Sequence, residues 1–175
     1  RLYVTEKIMH PTAMQNANKF LQKYLTKNGL FDCSILDVGG ANVNGGLRTL
    51  FTSKGHTFQT LDIRDADGVD IVAIPREPYP INDGEFDVIV SSSMMEHDEA
   101  FWLTFDQMVR VCKSGGYIYI CTPSRGNHHW DRDCWRFLAD AYPALAKSNG
   151  NVELLEYYID TIGHWGDNIG IFRKK

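Results

Sequence analysis

Hydrophobic residues recur with two different spacings along the chain, and each spacing predicts a different kind of element. Near the beginning, Ala13, Ala17, Phe20 and Leu21 recur at helical spacing, and the Asn28-Gly29 pair that follows is a helix stop signal. Further along, short apolar runs end in glycine or polar turns, which is typical of buried parallel strands. These runs predict strands over residues 33–38, 57–63, 69–74, 86–90 and 117–121.

Helical patterns separate the predicted strands. Residues 47–53 predict a short helix, and Asp98 can cap a longer one that ends at Ser114-Gly115-Gly116. A weaker helix is predicted over 138–148, and 152–159 with 168–172 predicts a terminal antiparallel hairpin. Strands that alternate with helices predict an α/β fold, a doubly wound, Rossmann-like and mostly parallel sheet.

Composition and charge narrow the function classes. The chain has 175 residues, which suits a single domain, and 43% of them are hydrophobic, as in a globular protein. Its formal net charge of -4 argues against nucleic acid or an anionic membrane as the main partner, because both need a basic surface. No apolar stretch approaches the roughly 20 residues of a membrane span.

Cysteine and histidine spacing gives no metal motif. Cys33, Cys112, Cys121 and Cys134 form no CxxC pair, and the six histidines include no HExxH pattern. We therefore expect no metal site. The cysteine pattern is typical of reduced thiols, and residues 1–10 lack the hydrophobic block of a signal peptide. We therefore expect a cytoplasmic protein.

Ligands of doubly wound sheets bind beyond the carboxyl ends of the strands, so the residues that follow each strand are the candidates for a site. The first strand ends in Asp37, and Gly39 and Gly40 follow it. Glycines let a ligand approach the backbone closely, whereas a carboxylate here repels a pyrophosphate and attracts an ammonium group. Ala41 and Asn44 occupy the second and third glycine positions of GxGxxG, which argues against NAD.

The next two strand ends suit an adenosine ligand. Asp62 lies some 20 residues past the glycine turn, where an acid can accept both ribose hydroxyls. Ala73 and Ile74 follow the third strand and can flank an adenine ring with apolar surface. An ammonium group and an adenosine without a pyrophosphate together describe S-adenosylmethionine.

The chain resembles the class I S-adenosylmethionine-dependent methyltransferases, in particular the small-molecule branch of that family. The resemblance covers roughly residues 30 to 123 and is carried by motifs in the family's order and spacing: ILDVGG at 35–40, LDI at 61–63, FDVIV at 86–90, KSGG at 113–116 and MEH at 95–97. It implies a seven-stranded sheet with an antiparallel last strand. The cofactor-binding residues expected from it are Asp37, Gly39, Gly40, Ala41, Asp62, Ile63, Ala73, Ile74 and Ser91.

Two departures from the family pattern refine the resemblance. Ala41 and Val43 stand where the family often has glycine, which leaves the contacts of this turn open. Ser91-Ser92-Ser93 follows the fourth strand in place of the Asn/Asp-Pro-Pro-aromatic motif of enzymes that methylate nucleic-acid amines. Catechol-type members place a metal-binding aspartate there, and serine is a poor ligand for hard cations. We therefore expect a metal-independent enzyme with a small-molecule acceptor.

The segment after the fifth strand concentrates groups that could meet an acceptor. Residues 124–137 contain two His, two Trp, two Asp and three Arg. Its Asp-Cys-Trp-Arg-Phe core resembles, more loosely, methyltransferases of bacterial and phage sugar pathways. The candidate acceptor-binding residues are His129, Trp130, Asp133 and Arg136, since Trp stacks on sugar rings and charged groups hydrogen-bond hydroxyls.

A hydroxyl acceptor also needs a base, and histidine titrates near neutrality. His128 is the first candidate and His97 the second, with Asp131 or Asp133 to orient the imidazole.

These observations predict an S-adenosylmethionine-dependent methyltransferase that acts on an oxygen, or else a nitrogen, of a sugar or related small metabolite. Two alternatives stay open: a cofactor-binding module without catalysis, and a nicotinamide-dependent oxidoreductase. Within one domain, we expect a helical segment over 1–30, the cofactor core over 31–123, an acceptor loop and helix over 124–150 and the hairpin over 151–175. The oligomeric state is not predicted.

Overall fold

A computed structural model of the chain describes residues 10–41 and 46–175. Its strands form one seven-stranded sheet in the order β3-β2-β1-β4-β5-β7-β6. The strands are β1 (Ser34–Val38), β2 (Thr57–Asp62), β3 (Ile71–Val72), β4 (Phe86–Ser92), β5 (Cys112–Pro123), β6 (Val152–Ile159) and β7 (Asp167–Lys174). Strand β7 runs antiparallel to β5 and β6, and the pairs among β1 to β5 are parallel. The predicted fold class is confirmed.

Helices cover both faces of this sheet: α1 (Pro11–Phe20), α2 (Arg48–Thr52), α3 (Phe101–Val111) and α4 (Ala141–Asn149). Neighbouring residues of β1 point to opposite faces, so Ile35 packs with α1 and α2 while Leu36 packs with α3 and α4. Each face therefore has its own apolar core, and the central strands are buried on both sides, which is why their sequences are continuous apolar runs.

The first helix has the boundaries that its sequence predicts. Pro11 occupies the first turn, where its missing N–H is not needed, and Ala13, Ala17 and Phe20 form the buried stripe. The helical path continues beyond Phe20 as single wider and narrower turns and ends at Gly29, whose φ of +67° favours glycine.

The structure corrects the bounds of several predicted elements, among them β5, which begins at Cys112 instead of residue 117, and α4, which begins at Ala141 instead of residue 138. Strand β3 has only two of the six expected residues, because Pro75 and the left-handed Arg76 (φ +66°) turn the chain away from the sheet. Helix α3 ends at Val111, before the Ser-Gly-Gly sequence, and Cys112 already belongs to β5. The main-chain N–H groups of Gly84 and Glu85 donate hydrogen bonds to the carbonyls of Arg110 and Val111. The last carbonyls of the helix therefore have partners, and the helix ends there.

The terminal hairpin is confirmed, and its linker packs on the acceptor loop predicted over 124–137. The N–H of Ser124 is bonded to the carbonyls of Trp165 and Gly166, and the Arg125 guanidinium donates to those of Thr161, Gly163 and His164. Both segments therefore lie at the carboxyl edge of the parallel strands. In the described part of the chain, no helix is long and apolar enough to cross a membrane.

Candidate active site

A cavity of about 650 Å³ opens at the carboxyl ends of β1, β2 and β4. Its volume lies in the range of small-molecule sites. One end is lined by residues that follow β1 and β2. The other end is lined by residues that follow β4, by the loop after β5 and by the linker between β6 and β7. Among the described residues, the lining includes most of the predicted cofactor set: Asp37, Gly39, Gly40, Ala41, Asp62, Ile63, Ala73 and Ile74.

Asp37 is a buried carboxyl group at the mouth of β1. Only 4% of the residue is exposed, and burial raises its pKa to about 7, with Asp62 adding to the rise and Arg48 opposing it. An ionised carboxylate is costly in such surroundings unless a cation neutralises it. The position is therefore well suited to an ammonium group.

The two glycines after Asp37 are required by space. Gly39 has φ +78°, and a Cβ there would lie 2.0 Å from Cγ of Met94. A Cβ on Gly40 would lie 2.4 Å from Oδ2 of Asp37. The turn thus passes closely over the Asp37 carboxyl group and over the loop after β4. Because the two glycines have no side chains, a ligand can reach the backbone of the turn. The continuation of this predicted turn, residues 42–45, lies outside the described residues.

The second carboxylate, Asp62, is held by its neighbours. Its Oδ2 accepts the Ala41 N–H at 3.1 Å, and its Oδ1 accepts both the main-chain N–H and Nε–H of Arg64 at 3.0 Å. The residue is buried, whereas the Arg64 side chain is half exposed. A diol that bonds to Asp62 would take the place of the guanidinium, which can swing into solvent.

Apolar side chains flank this end of the cavity. Ala73 is buried after β3, whereas Ile63 and Ile74 are 49% and 60% exposed although both are large and hydrophobic. All three line the cavity. Exposed isoleucines on a concave wall offer a surface for a flat apolar ring.

The opposite end is formed by the single turn Met95–His97 after β4. Glu96 is 1% exposed, and its Oε2 finds no hydrogen-bond partner among the described residues. Burial raises the pKa of Glu96 to about 8. His97 Nε2 lies 3.7 Å from Glu96 Oε1, and burial together with His129 lowers the pKa of the imidazole.

His129 reaches the same place from the loop after β5. Its ring centre lies 5.1 Å from that of His97, and its Nδ1 pairs with Asp133 Oδ2 at 3.0 Å. Two N–H groups of Arg136 fix the Asp133 carboxylate, which holds the pKa of that carboxyl well below its usual range. Trp165 from the hairpin linker packs on the His129 ring with centroids 4.3 Å apart. These contacts leave the imidazole with a fixed orientation.

Residues 40–120, just under half of the chain, match a family model described as a methyltransferase domain. A search of curated proteins finds no match.

Solved structures share the fold at low sequence identity. The N1-methyltransferase of 1,6-didemethyltoxoflavin from Burkholderia thailandensis, solved with S-adenosylhomocysteine, is 16% identical (TM-score 0.72; 93% of this chain and 78% of that chain covered). An S-adenosylmethionine-dependent methyltransferase from Methanosarcina mazei is 13% identical (TM-score 0.67; 95% and 98% covered). The [4+2]-cyclase SpnF is 12% identical (TM-score 0.68; 91% and 81% covered).

Because a cyclase shares the fold, the fold alone does not decide the chemistry, and the sequence match over residues 40–120 is the observation that supports methyl transfer. The match over residues 40–120 and the shared fold support an S-adenosylmethionine-dependent methyltransferase. Its cofactor is S-adenosylmethionine, and the buried Asp37 carboxyl and the close glycine turn fit the amino-acid end of that molecule.

The methyltransferase structure places four predicted site residues away from the cavity lining: Ser91, His128, Asp133 and Arg136. Ser91 is buried and its hydroxyl donates to the Val38 carbonyl at 2.8 Å, so it ties β4 to β1. His128 is exposed at the surface, and its neighbour His129 enters the cavity instead. Asp133 and Arg136 hold the loop and orient His129. Of the remaining candidates, His97, His129 and Trp130 line the cavity.

Several residues of the methyltransferase cavity escaped the sequence analysis. Glu96 appeared there only as a part of the family motif, although an acid directly after a buried strand is itself a signal. Trp165 lies in the hairpin linker and Asp167 begins β7, and the unusual length of that linker for a tight turn was the available hint. Arg64 gave no signal, because a guanidinium two residues after an acid is common on protein surfaces.

Proposed function

We propose that this methyltransferase transfers a methyl group to a hydroxyl oxygen of a small molecule, with a sugar or a similar polyhydroxylated metabolite as the acceptor class. The observation that carries the proposal is one continuous cavity, with the cofactor-fitting Asp37 and Asp62 at one end and a cluster of Glu96, His97 and His129 at the other. A methyl donor and an acceptor have to meet in a shared space of this kind.

At the cofactor end, the roles follow from the contacts. Asp37 would bind the ammonium group, the Gly39–Gly40 backbone the methionine part, and Asp62 the ribose hydroxyls. Ile63, Ala73 and Ile74 would enclose the adenine. The cofactor supplies an electrophilic methyl group on a sulfonium, so the chain itself has to position the acceptor and to remove its proton.

The acceptor end suits a polar molecule. Its lining includes Trp130 and Trp165, which offer flat faces for a ring, and Arg132 and Asp167, which can hydrogen-bond hydroxyls. The cavity volume of about 650 Å³ and the net charge of -4 both favour a small molecule over a nucleic acid.

Label transfer tests the proposal. The chain is incubated with methyl-labelled S-adenosylmethionine and a panel of free sugars, sugar phosphates, nucleotide sugars and phenols, with amines and RNA as comparison acceptors. We expect labelled product from a hydroxyl compound, and a loss of at least about tenfold in turnover with Glu96→Gln or His129→Ala. Label found only in amines or RNA contradicts the proposal. Cofactor binding without transfer to any acceptor would favour the non-catalytic binding module.

A further inference from the structure

Three side chains at the acceptor end have the arrangement of metal ligands. Glu96, His97 and His129 each bring one ligand atom to a place where the three atoms lie within 4.8 Å of one another. They come from two separate segments, the turn after β4 and the loop after β5. The main-chain N–H groups of Cys134 and Trp135 bond to the Glu96 carbonyl at 2.8 and 3.2 Å, so the two segments are held together.

The cluster also contains polar atoms that lack partners. Glu96 is 1% exposed, yet its Oε2 has no hydrogen bond, and neither has the buried Nδ1 of His97, as far as the described residues go. A buried polar atom without a partner destabilises the folded state, and more strongly when it is charged. A bound cation would give the buried Glu96 carboxylate a partner, and carboxylates and neutral imidazoles both bind such cations well.

The residues behind His129 support the same interpretation. Asp133 Oδ2 lies 3.0 Å from Nδ1 of His129, which leaves Nε2 as the ligand atom, and Arg136 holds that carboxylate from its far side. Histidines that bind metals generally donate their other N–H to a carboxylate or a carbonyl, and this contact fixes the tautomer and the ring orientation. A histidine on a solvated loop does not require such support.

We propose that Glu96, His97 and His129 bind a divalent transition-metal ion, with Zn²⁺ as the best match, and leave an open coordination position toward the cavity. Two imidazoles and one carboxylate with an open position form the donor set of catalytic zinc sites, whereas Mg²⁺ and Ca²⁺ prefer oxygen ligands alone. The inference deepens the proposed function and rests on it. It departs from the expectation of a metal-independent enzyme, which was based on the serine at the end of β4.

The cation would take part in the transfer through the acceptor. A hydroxyl that contacts a divalent cation has a lowered pKa and releases its proton to solvent. Its oxygen then forms the bond to the methyl carbon, the carbon–sulfur bond breaks, and the electron pair of that bond stays on sulfur. Charge and atoms balance, because the sulfonium becomes a neutral thioether as the proton leaves.

Calorimetry with the metal alone tests the site. The untagged chain is treated with a chelator and titrated with Zn²⁺, and Co²⁺ is added in a parallel experiment that records visible absorption. We expect one ion per chain and a Co²⁺ spectrum of low coordination number. We expect Glu96→Gln and His129→Ala each to weaken Zn²⁺ binding roughly 100-fold or more, and Asp133→Asn about 10–100-fold, as removal of an outer-shell partner does.

Two neighbours on the same loop serve as matched controls. His128→Ala removes an exposed imidazole one residue from His129, and Cys134→Ser removes an exposed thiol. Both variants are expected to bind Zn²⁺ as the wild type does. Far-UV circular dichroism checks each fold, and since the His129 ring is partly exposed, His129→Ala still gives a test if Glu96→Gln does not fold.

Two results would overturn the metal site: no binding of Zn²⁺, or an adventitious ion only, meaning that Glu96→Gln and His129→Ala bind Zn²⁺ like the wild type. Titration of the same samples with S-adenosylhomocysteine separates this failure from failure of the proposed function. Cofactor binding without a zinc site overturns the metal inference alone, whereas a chain that binds zinc but has no hydroxyl acceptor loses the proposed function.

Discussion

At the scale of single residues, the site depends on ionisable groups whose burial costs stability. Asp37 shows this most directly, because burial raises the pKa of its carboxyl to about 7 from an ordinary value of 3.8. Between these two pH values the folded chain holds a proton that the unfolded chain has released. Stability therefore falls as the pH rises through this window, and the full penalty is present above about pH 7.

Asp37→Asn is expected to stabilise the protein at alkaline pH and to abolish tight cofactor binding. The neutral amide avoids the free-energy cost of ionising the buried Asp37 carboxyl. The upper bound of this cost is roughly 4 kcal/mol, since each unit of the rise in pKa corresponds to about 1.4 kcal/mol. Thermal denaturation at about pH 5 and about pH 8 checks this, and the gain should appear mainly at the higher pH. Asp70→Asn is the control of opposite sign, since Asp70 is paired with Arg48 and its pKa is lowered. A gain that is equal at both pH values would contradict the account.

Cofactor affinity should depend on pH through the same group. The ammonium of the ligand needs an ionised Asp37, so the proton competes with the ligand below about pH 7. We expect the affinity for S-adenosylhomocysteine, measured by calorimetry, to fall up to about tenfold per pH unit below that value. Adenosine lacks the ammonium group and is the control, since its affinity should hardly change over this range. An equal loss for both ligands would place the titrating group elsewhere.

The residue scale also shows where sequence reasoning stops. Asp37, Gly39 and Asp62 were predictable, because the end of a buried strand fixes where each residue lies. The choice between His128 and His129 was not, because the chain at Trp130 has φ +61° and such a local twist decides which neighbour faces inward. The pairing of His129 with Asp133 likewise depends on a loop path that no periodicity encodes.

At the scale of elements, the acceptor end is held by contacts between loops and strands that are distant in sequence. Asn168 of β7 donates from Nδ2 to the carbonyls of Phe137 and Leu138 at 3.0 and 2.9 Å. The Tyr142 hydroxyl, which is buried beside Thr122, donates to the Asn168 carbonyl at 2.9 Å. This network joins α4, β5 and β7 at the point where the acceptor loop ends.

Asn168→Ala is expected to destabilise the fold by about 1–3 kcal/mol, because two carbonyl groups lose a buried donor. Urea denaturation measures the change. Asn149→Ala provides the control, since that side chain makes an exposed bond to Asp106 and surface changes usually stay within about 0.5 kcal/mol. If both variants unfold at the same urea concentration, Asn168 does not anchor the loop.

Element boundaries were predictable where local signals agreed with packing. The helix that begins at Pro11 and the terminal hairpin follow their sequence patterns. Strand β3 was overestimated because an apolar run does not show how many of its residues find a partner strand, and β3 lies at the edge of the sheet. The end of α3 was misplaced because its stop depends on Gly84 and Glu85, which are remote in sequence.

At the scale of the whole molecule, the strand order brings together segments that the sequence separates. β1 and β4 are neighbours at the centre of the sheet, with crossovers to either side, and this is the switch point where doubly wound sheets bind ligands. The antiparallel β7 adds the hairpin linker to the same edge. As a result, residues as distant as Asp37, Glu96, His129 and Trp165 line one cavity.

Ligand-induced stabilisation tests this assembled site as a whole. S-adenosylhomocysteine at 100 times its dissociation constant should stabilise the chain by about 2.7 kcal/mol, because it binds only the folded state. For a protein of this size, that corresponds to a rise in the melting midpoint of roughly 5–10 °C.

NAD should give no rise, since its pyrophosphate would face the carboxyl group of Asp37 across a turn without the GxGxxG spacing. Asp62→Asn should reduce the shift with S-adenosylhomocysteine and with adenosine alike, whereas Asp37→Asn should reduce it with S-adenosylhomocysteine alone. Stabilisation by NAD without any effect of S-adenosylhomocysteine would contradict the assignment of Asp37 to the ammonium group of the ligand. The same carboxyl group cannot favour a diphosphate over an ammonium ion.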